Sequence, residues 1–163
     1  LTRAFLGLGS NIDDRLDALS AAVRALDGDP QISFLRSSRV YRTQPVGGPD
    51  QPGFLNAVIE VGTTLDPHSL LVACLSTEEA LGRVRQERWG PRTIDIDLLQ
   101  IERMVLDEPG LIVPHPRLHL RAFALLPLLE LEPDPVLPGG LPLPDARPEG
   151  EISPCLPPLG IGG

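Results

Sequence analysis

Two aspartates, Asp95 and Asp97, separated by one isoleucine and preceded by four arginines, are where the residue types concentrate chemistry. Side chains alternate along an extended strand, so Ile94, Ile96 and Leu98 turn to one side and both carboxylates to the other. Two acids about 7 Å apart on one face can hold a hard cation such as Mg²⁺ through oxygen. Immediately upstream stand Arg83, Arg85, Arg88 and Arg92, the last two flanking Trp89-Gly90-Pro91. Guanidinium groups match polyphosphate oxygens in charge and shape. Taken singly, an Asp-x-Asp is usually the wet face of a half-buried strand, and an arginine-rich loop is usually solvated surface. Their adjacency favours a metal-nucleotide site, because one function then accounts for the basic loop, the Gly-Pro turn and the acids beyond it.

The chain bounds what surrounds such a site. Its 163 residues suit one domain able to bury a core without disulfides. No run is long and apolar enough to cross a bilayer and no export signal opens the chain, so a cytoplasmic protein without membrane attachment is expected. A formal charge of -8 argues against nucleic acid as a partner, since phosphate backbones are held by net basic surfaces. All 14 basic residues are arginine, so no Gly-x-x-x-x-Gly-Lys-Ser/Thr phosphate loop can be written. Cys74 and Cys155 show neither metal-ligand spacing nor a disulfide pattern.

The elements that must position the acids follow from periodicity. Residues 3–8 read as a buried strand ending in Gly9-Ser10-Asn11, where a tight turn explains the glycines; Asn11 or Asp13 can cap the next helix. Leu16, Leu19, Val23 and Leu26 recur at helical spacing, and Gly28 and Pro30 close that helix. Residues 31–42 carry strand-like content. Residues 43–53, with three prolines and three glycines, form a loop of the length that lids and binding loops have. In the strand over 54–64, Phe54 and Asn56 share a face, a ring beside an amide, which suits a planar heterocycle. Asp66-Pro67 starts a helix whose buried stripe is Leu70, Leu71, Cys74, Leu75 and Leu81, with Glu78 near its end. Past the acids, Met104-Val105-Leu106 and Leu111-Ile112-Val113 form short strands around a turn, His115 stands between two prolines, and Leu118 to Leu131 is helix-like. From Pro133, nine prolines and six glycines make residues 135–163 a tail expected to be extended or disordered, with at most a short strand near Val136-Leu137. Residues 1–134 are then the functional domain, an α+β sandwich with helices over a mainly antiparallel sheet.

Together these segments resemble the 6-hydroxymethyl-7,8-dihydropterin pyrophosphokinase (HPPK) family of folate biosynthesis. The resemblance covers residues 4 to about 134. It is carried most specifically by Arg88-Trp89-Gly90-Pro91-Arg92-Thr93-Ile94-Asp95-Ile96-Asp97, with support from Gly9-Ser10-Asn11, Tyr41-Arg42-Thr43, Phe54-Leu55-Asn56, Gly82-Arg83-Val84-Arg85, Val113-Pro114-His115-Pro116 and Arg121-Ala122-Phe123. It implies a ferredoxin-like three-layer α-β-α fold and transfer of the β,γ-pyrophosphate of ATP to the pterin's hydroxymethyl oxygen, releasing AMP. Two Mg²⁺ ions would be held by Asp95 and Asp97. Thr43, Val46 and Asn56 would contact the pterin, stacked between Phe54 and Phe123. Glu78, Arg85, Arg88, Trp89, Leu98, His115 and Arg121 would line the ATP site, with Arg83 and Arg92 supporting transfer. The partners implied are these two small molecules, and the expectation is a monomer. The chain departs from the family pattern at Gly110 and Ile112, where members often carry an arginine and a threonine. It departs again at Pro116, which replaces a frequent tyrosine, and at Gln100-Ile101-Glu102, where an apolar-Tyr/Phe-Gly ending is usual.

Two alternatives stay open on sequence alone. A nucleotidyltransferase also combines a Gly-Ser turn, Asp-x-Asp and two metals, but releases pyrophosphate and leaves AMP on its substrate. A non-catalytic nucleotide sensor of ferredoxin-like fold would bind ATP-Mg²⁺ without turnover.

Overall fold

In chain order the elements are β1 (Thr2–Ser10), α1 (Arg15–Asp27), β2 (Ile32–Ser37), β3 (Val40–Thr43), β4 (Phe54–Thr63), α2 (Pro67–Arg85), β5 (Asp95–Ile101), β6 (Leu106–Glu108), β7 (Leu111–Val113), α3 (Ala122–Leu131) and β8 (Ile152–Leu156). The computed structural model describes residues 1–11, 14–43, 53–85 and 94–161, less the side chains of residues 83–85.

Alternation within β1 and β4 decides the layering. Ala4, Leu6 and Leu8 of β1, with Leu55, Ala57, Ile59 and Val61 of β4, enter one core with Leu19, Ala22, Val23 and Leu26 of α1 and Leu70 and Cys74 of α2. The intervening residues Phe5 and Val58 enter a second core with Leu125 and Leu128 of α3. Both faces of the sheet are therefore covered, giving helix, sheet and helix layers. Each fully buried leucine contributes about 1.5–3 kcal/mol of transfer free energy. The main sheet runs β5-β1-β4-β3-β8, with β2 also along β4, and every named strand pairing in it is antiparallel. The strand-like run 31–42 is two strands on one edge of β4. Between them Ser38 Oγ accepts the Val58 N–H at 2.9 Å, so a hydroxyl replaces a rung of the backbone ladder.

Several expectations shift. Asp66 caps α2 as predicted, its Oδ1 accepting the Ser69 N–H at 2.8 Å, which holds its carboxyl below the usual range. The N-cap of α1 is Asp14, which makes no side-chain capping bond, whereas Asn11 or Asp13 was expected. Leu75 leaves the buried stripe and is 51% exposed. At 3.6 residues per turn it lies about 140° round the helix from Leu70, beyond the apolar arc. Met104 and Val105 precede the hairpin strand, and Val105 is exposed.

The tail differs most. Its strand lies at Ile152–Leu156, added to the free edge of β3, and not near Val136-Leu137. Leu137 and Ala146 are buried in the second core and Leu159 in the first. The Gln100 Oε1 accepts the Val136 N–H at 2.9 Å, which gives that departure from the family pattern a task. Proline is tolerated at a sheet edge because only one side of such a strand must pair, so Pro154 fits within β8. Among the described residues no helix is long and apolar enough to cross a membrane.

Candidate active site

Register across the sheet assembles the site. Asp95 pairs with Gly9, Gly9 with Asn56, and Asn56 with Tyr41, so four strands contribute one row on the α3 side. The next row is Asp97, Gly7 and Val58. Phe54 and Thr43 form the row at the other end. Since paired Cα atoms lie about 5 Å apart, the acid strand and the Asn56 amide flank a floor about 10 Å wide with only glycines between them. Asp95 and Asp97 are half-buried, whereas Ile94, Ile96 and Leu98 are buried in the opposite core, as the alternation required.

Neither Gly7 nor Gly9 has positive φ, so the tight turn expected at this segment is not why they are glycines. The reason is close approach. A Cβ on Gly9 would stand 2.7 Å from Asn56 Nδ2 and 3.7 Å from Phe54 Cδ2, and one on Gly7 would meet Leu99 Cδ1 at 3.3 Å. The amide is also fixed from its other end, where the Thr43 hydroxyl donates to Asn56 Oδ1. With its oxygen committed, Asn56 turns its NH₂ toward Gly9. Asn56 is 5% exposed, so its amide is packed against the strands and not held in solvent.

Glu78 sits at about 80° from Leu70 on α2, beside the buried arc. From there its Oε2 accepts the Ile96 N–H at 2.5 Å, gripping β5 at the residue between the two acids. Beneath lies Cys74, whose thiol is pushed up to about 12 by burial, with Glu78 and Asp97 adding to the effect; it is neutral and not a nucleophile. His115 is tied to the same strand, its N–H donating to Leu99 O at 2.9 Å, while its Nδ1 accepts the Arg117 N–H at 3.1 Å. Burial holds the His115 imidazole below its ordinary range, against the pull of the Asp97 charge. Arg121 occupies the N-cap position of α3, and its guanidinium lies 5.5 Å from the Phe123 ring centroid.

The fold thus brings Asp95, Asp97, Asn56, Thr43 and Phe54 to one face, with Glu78 and His115 bonded to the acid strand. Leu98 points the other way into the core, so only its backbone can meet a nucleotide. Val46, Arg88, Trp89 and Arg92 lie outside the described residues, as do the side chains of Arg83 and Arg85 and most of the loop over residues 43–53. Of the departures, Gly110 forms a turn at φ +79 between β6 and β7, and Ile112 is exposed. Sequence reasoning missed Gly9; the available signal was a Gly-x-Gly in a strand whose period equals that of Asp-x-Asp. It also missed the clamp of Tyr41 and Arg39 on Glu130, which ties β3 to α3. For Glu130, burial raises the carboxyl, but donors from Tyr41 and Arg39 outweigh it and hold it low. A groove of about 400 Å³ between α1 and α2, lined by Leu26, Ser69, Val72 and Ala73 among others, lies on the far side of the sheet from the acids.

A family model described as 7,8-dihydro-6-hydroxymethylpterin-pyrophosphokinase (HPPK) matches residues 5–133. A 2-amino-4-hydroxy-6-hydroxymethyldihydropteridine pyrophosphokinase of Methylorubrum extorquens is 50% identical over 139 residues, covering 85% of this chain and 88% of its own. Its namesakes in Bacillus subtilis and Pseudomonas aeruginosa are 44% and 41% identical, covering 78% and 89% of this chain and 77% and 90% of their own. Among solved structures, an HPPK-DHPS in complex with substrates superposes with TM-score 0.64 at 13% identity over 82% of this chain. A Plasmodium falciparum HPPK-DHPS with SDX-DHP gives 0.62 at 17% identity over 82%. At these identities the two structures bear on the fold alone, and this chain spans 40% of each of those chains.

Proposed function

The chain belongs to the 7,8-dihydro-6-hydroxymethylpterin-pyrophosphokinase family, and from that premise we propose that it transfers pyrophosphate from ATP to 6-hydroxymethyl-7,8-dihydropterin, yielding the pterin diphosphate and AMP. The observation that carries this is the row Asp95, Gly9, Asn56, which sets a carboxylate and an oriented amide on either side of a floor without side chains of its own, the amide lying close over Gly9. A flat heterocycle needs such a floor, an edge partner and a wall. Asn56 and Thr43 supply the edge, Phe54 one wall and Phe123 the other; Arg121 already stands against the Phe123 ring. Val46 completes the pterin contacts.

Two carboxylates two residues apart on one strand face fit Mg²⁺, which is normally held by one or two acids and completed by phosphate oxygens and water. When bound, two ions at Asp95 and Asp97 would supply neutralisation of the phosphoryl oxygens. The protein's own groups do the rest by positioning. Glu78 keeps β5 in place, so the two acids are presented at fixed spacing. His115, Arg121, Arg85, Arg88, Trp89 and the backbone of Leu98 line the ATP site. Arg83 and Arg92 bring positive charge to the transferring group, where stabilisation is worth most once water is excluded. The reaction runs in the cytoplasm on a monomer, with residues 1–134 carrying the chemistry and the tail supporting it.

The leaving group tests this. Incubation with ATP, Mg²⁺ and the hydroxymethyl dihydropterin is expected to release AMP in step with pterin diphosphate. Pyrophosphate release with AMP attached to the substrate would make the protein a nucleotidyltransferase, and ATP binding without turnover would make it a sensor.

A further inference from the structure

We propose that Glu149 and Gly150 are positioning residues for the pterin pocket, strapping the start of α3, which carries Arg121 and Phe123, to the end of β3, which carries Thr43. The family model ends at residue 133, so the strap lies beyond it. Glu149 clasps Arg121 on both sides: its N–H donates to Leu120 O at 2.9 Å, and its carbonyl accepts the Ala122 N–H at 3.1 Å, forming a parallel bridge. Ala122 is the first residue of α3, so this carbonyl satisfies a helix-start donor that no turn of the helix can reach. Three residues later Ile152 pairs with Thr43. Extended chain covers at most about 3.5 Å per residue, so the two attachment points of the strap are within about 10 Å of each other.

Gly150 makes this short span possible. Its φ is +112, a conformation that residues with a side chain rarely adopt. A Cβ there would find only Ala122 Cβ at 4.0 Å, so space is not the constraint and backbone conformation is. Glu149 itself is exposed and acts through its main chain. The strap therefore fixes the separation of the Phe123 wall and the Thr43 edge, which the rest of the chain supplies from distant elements. It rests on the pterin assignment made above. By linkage, a ligand that needs the walls at that separation must in turn stabilise the strap.

The experiment uses the full chain. Gly150→Ala is expected to raise the KM for the hydroxymethyl dihydropterin about five- to tenfold and, through Arg121, the KM for ATP by a smaller factor, while kcat moves by less than about twofold. Hydrogen exchange of the unmodified protein supplies a second readout that does not depend on a variant folding. Addition of the pterin with a non-transferable ATP analogue and Mg²⁺ should slow exchange at the amides of Glu149, Ile152, Ser153, Cys155 and Leu156. A folded Gly150→Ala protein with wild-type pterin KM, or exchange at those amides unaltered by saturating pterin, overturns the proposal. Wild-type protein that neither binds nor converts the pterin overturns the substrate assignment first, and the strap's role with it.

Discussion

Replacing Gly9 with alanine isolates the floor of the pocket from everything around it. The new Cβ would stand 2.7 Å from Asn56 Nδ2, well inside van der Waals contact, so either β1 or the amide must yield. β1 is hydrogen-bonded on both sides, to β4 and β5, and cannot yield cheaply. The amide can rotate, but only by leaving the Thr43 hydroxyl that holds its oxygen. Losing that hydrogen bond costs about 0.5–1.5 kcal/mol, and an off-rotamer side chain costs about as much again. With the amide turned away the pterin loses its edge partner and a buried polar group is left unpaired, so its affinity falls by about 1–3 kcal/mol, or about 5- to 150-fold. The same strain weakens the fold, offset in part because alanine is about 0.5–1 kcal/mol better than glycine within a strand. Steady-state kinetics with each substrate varied in turn would show a raised pterin KM and an unchanged ATP KM, and thermal melts a melting temperature lowered by no more than about 10 °C. Asn56→Ala removes the atom that is struck, so adding Gly9→Ala to it should cost far less than in wild type. Equal effects of Gly9→Ala in the two backgrounds, or an unaltered pterin KM, would refute the close-approach explanation.

Asp97→Asn should lower Mg²⁺-dependent turnover by at least about 100-fold and leave the melting temperature nearly unchanged; normal turnover with large destabilisation would make the acid structural. The depressed His115 pKa gives stability a direction with pH. As pH falls below the ordinary value of 6.5, the unfolded chain takes up a proton before the folded one, so stability is lost from there until the lower folded pKa is passed. Thermal melts between pH 8 and pH 5, on the order of the range His titrates in, should show this slope in wild type and a shallower one in His115→Asn. Arg36 donates to the buried Glu60 at 2.6 Å and to Leu131 O at the end of α3 at 2.8 Å. Arg36→Ala leaves Glu60 with Arg3 at 3.6 Å, and denaturant titration should find a loss of about 1–3 kcal/mol with unchanged activity per folded molecule.

Local patterns carried most of the fold into view. Period-two alternation in β1, β4 and β5 and helical spacing in α1 and α2 specify which faces are buried, and burial on both faces forces the three layers. The Asp66-Pro67 start was equally legible, because a cap depends on residues three apart. Leu75 misled because counting leucines ignores the angle each makes with the arc. The tail misled for a different reason. Its composition reports that it cannot form a core of its own, but Leu137, Ala146 and Leu159 complete cores built by residues far away in the chain.

The same distinction divides the site. Asp95 and Asp97 declare themselves because both lie on one strand, and their spacing states their geometry. Gly9 does not, because its significance is a cross-strand partner 47 positions on, known only once register is set. A glycine in a turn and a glycine yielding space to an amide are identical letters; only the absence of positive φ and the 2.7 Å approach separate them. Glu78 was seen but could not be placed, since a carboxylate on a helix flank becomes a support for the acid strand only when a backbone N–H is brought to it. Residues that act by touching substrate are thus written in chemical type, and those that act by holding other residues are written in pairings. The first kind is legible along the chain directly, the second only through the sheet.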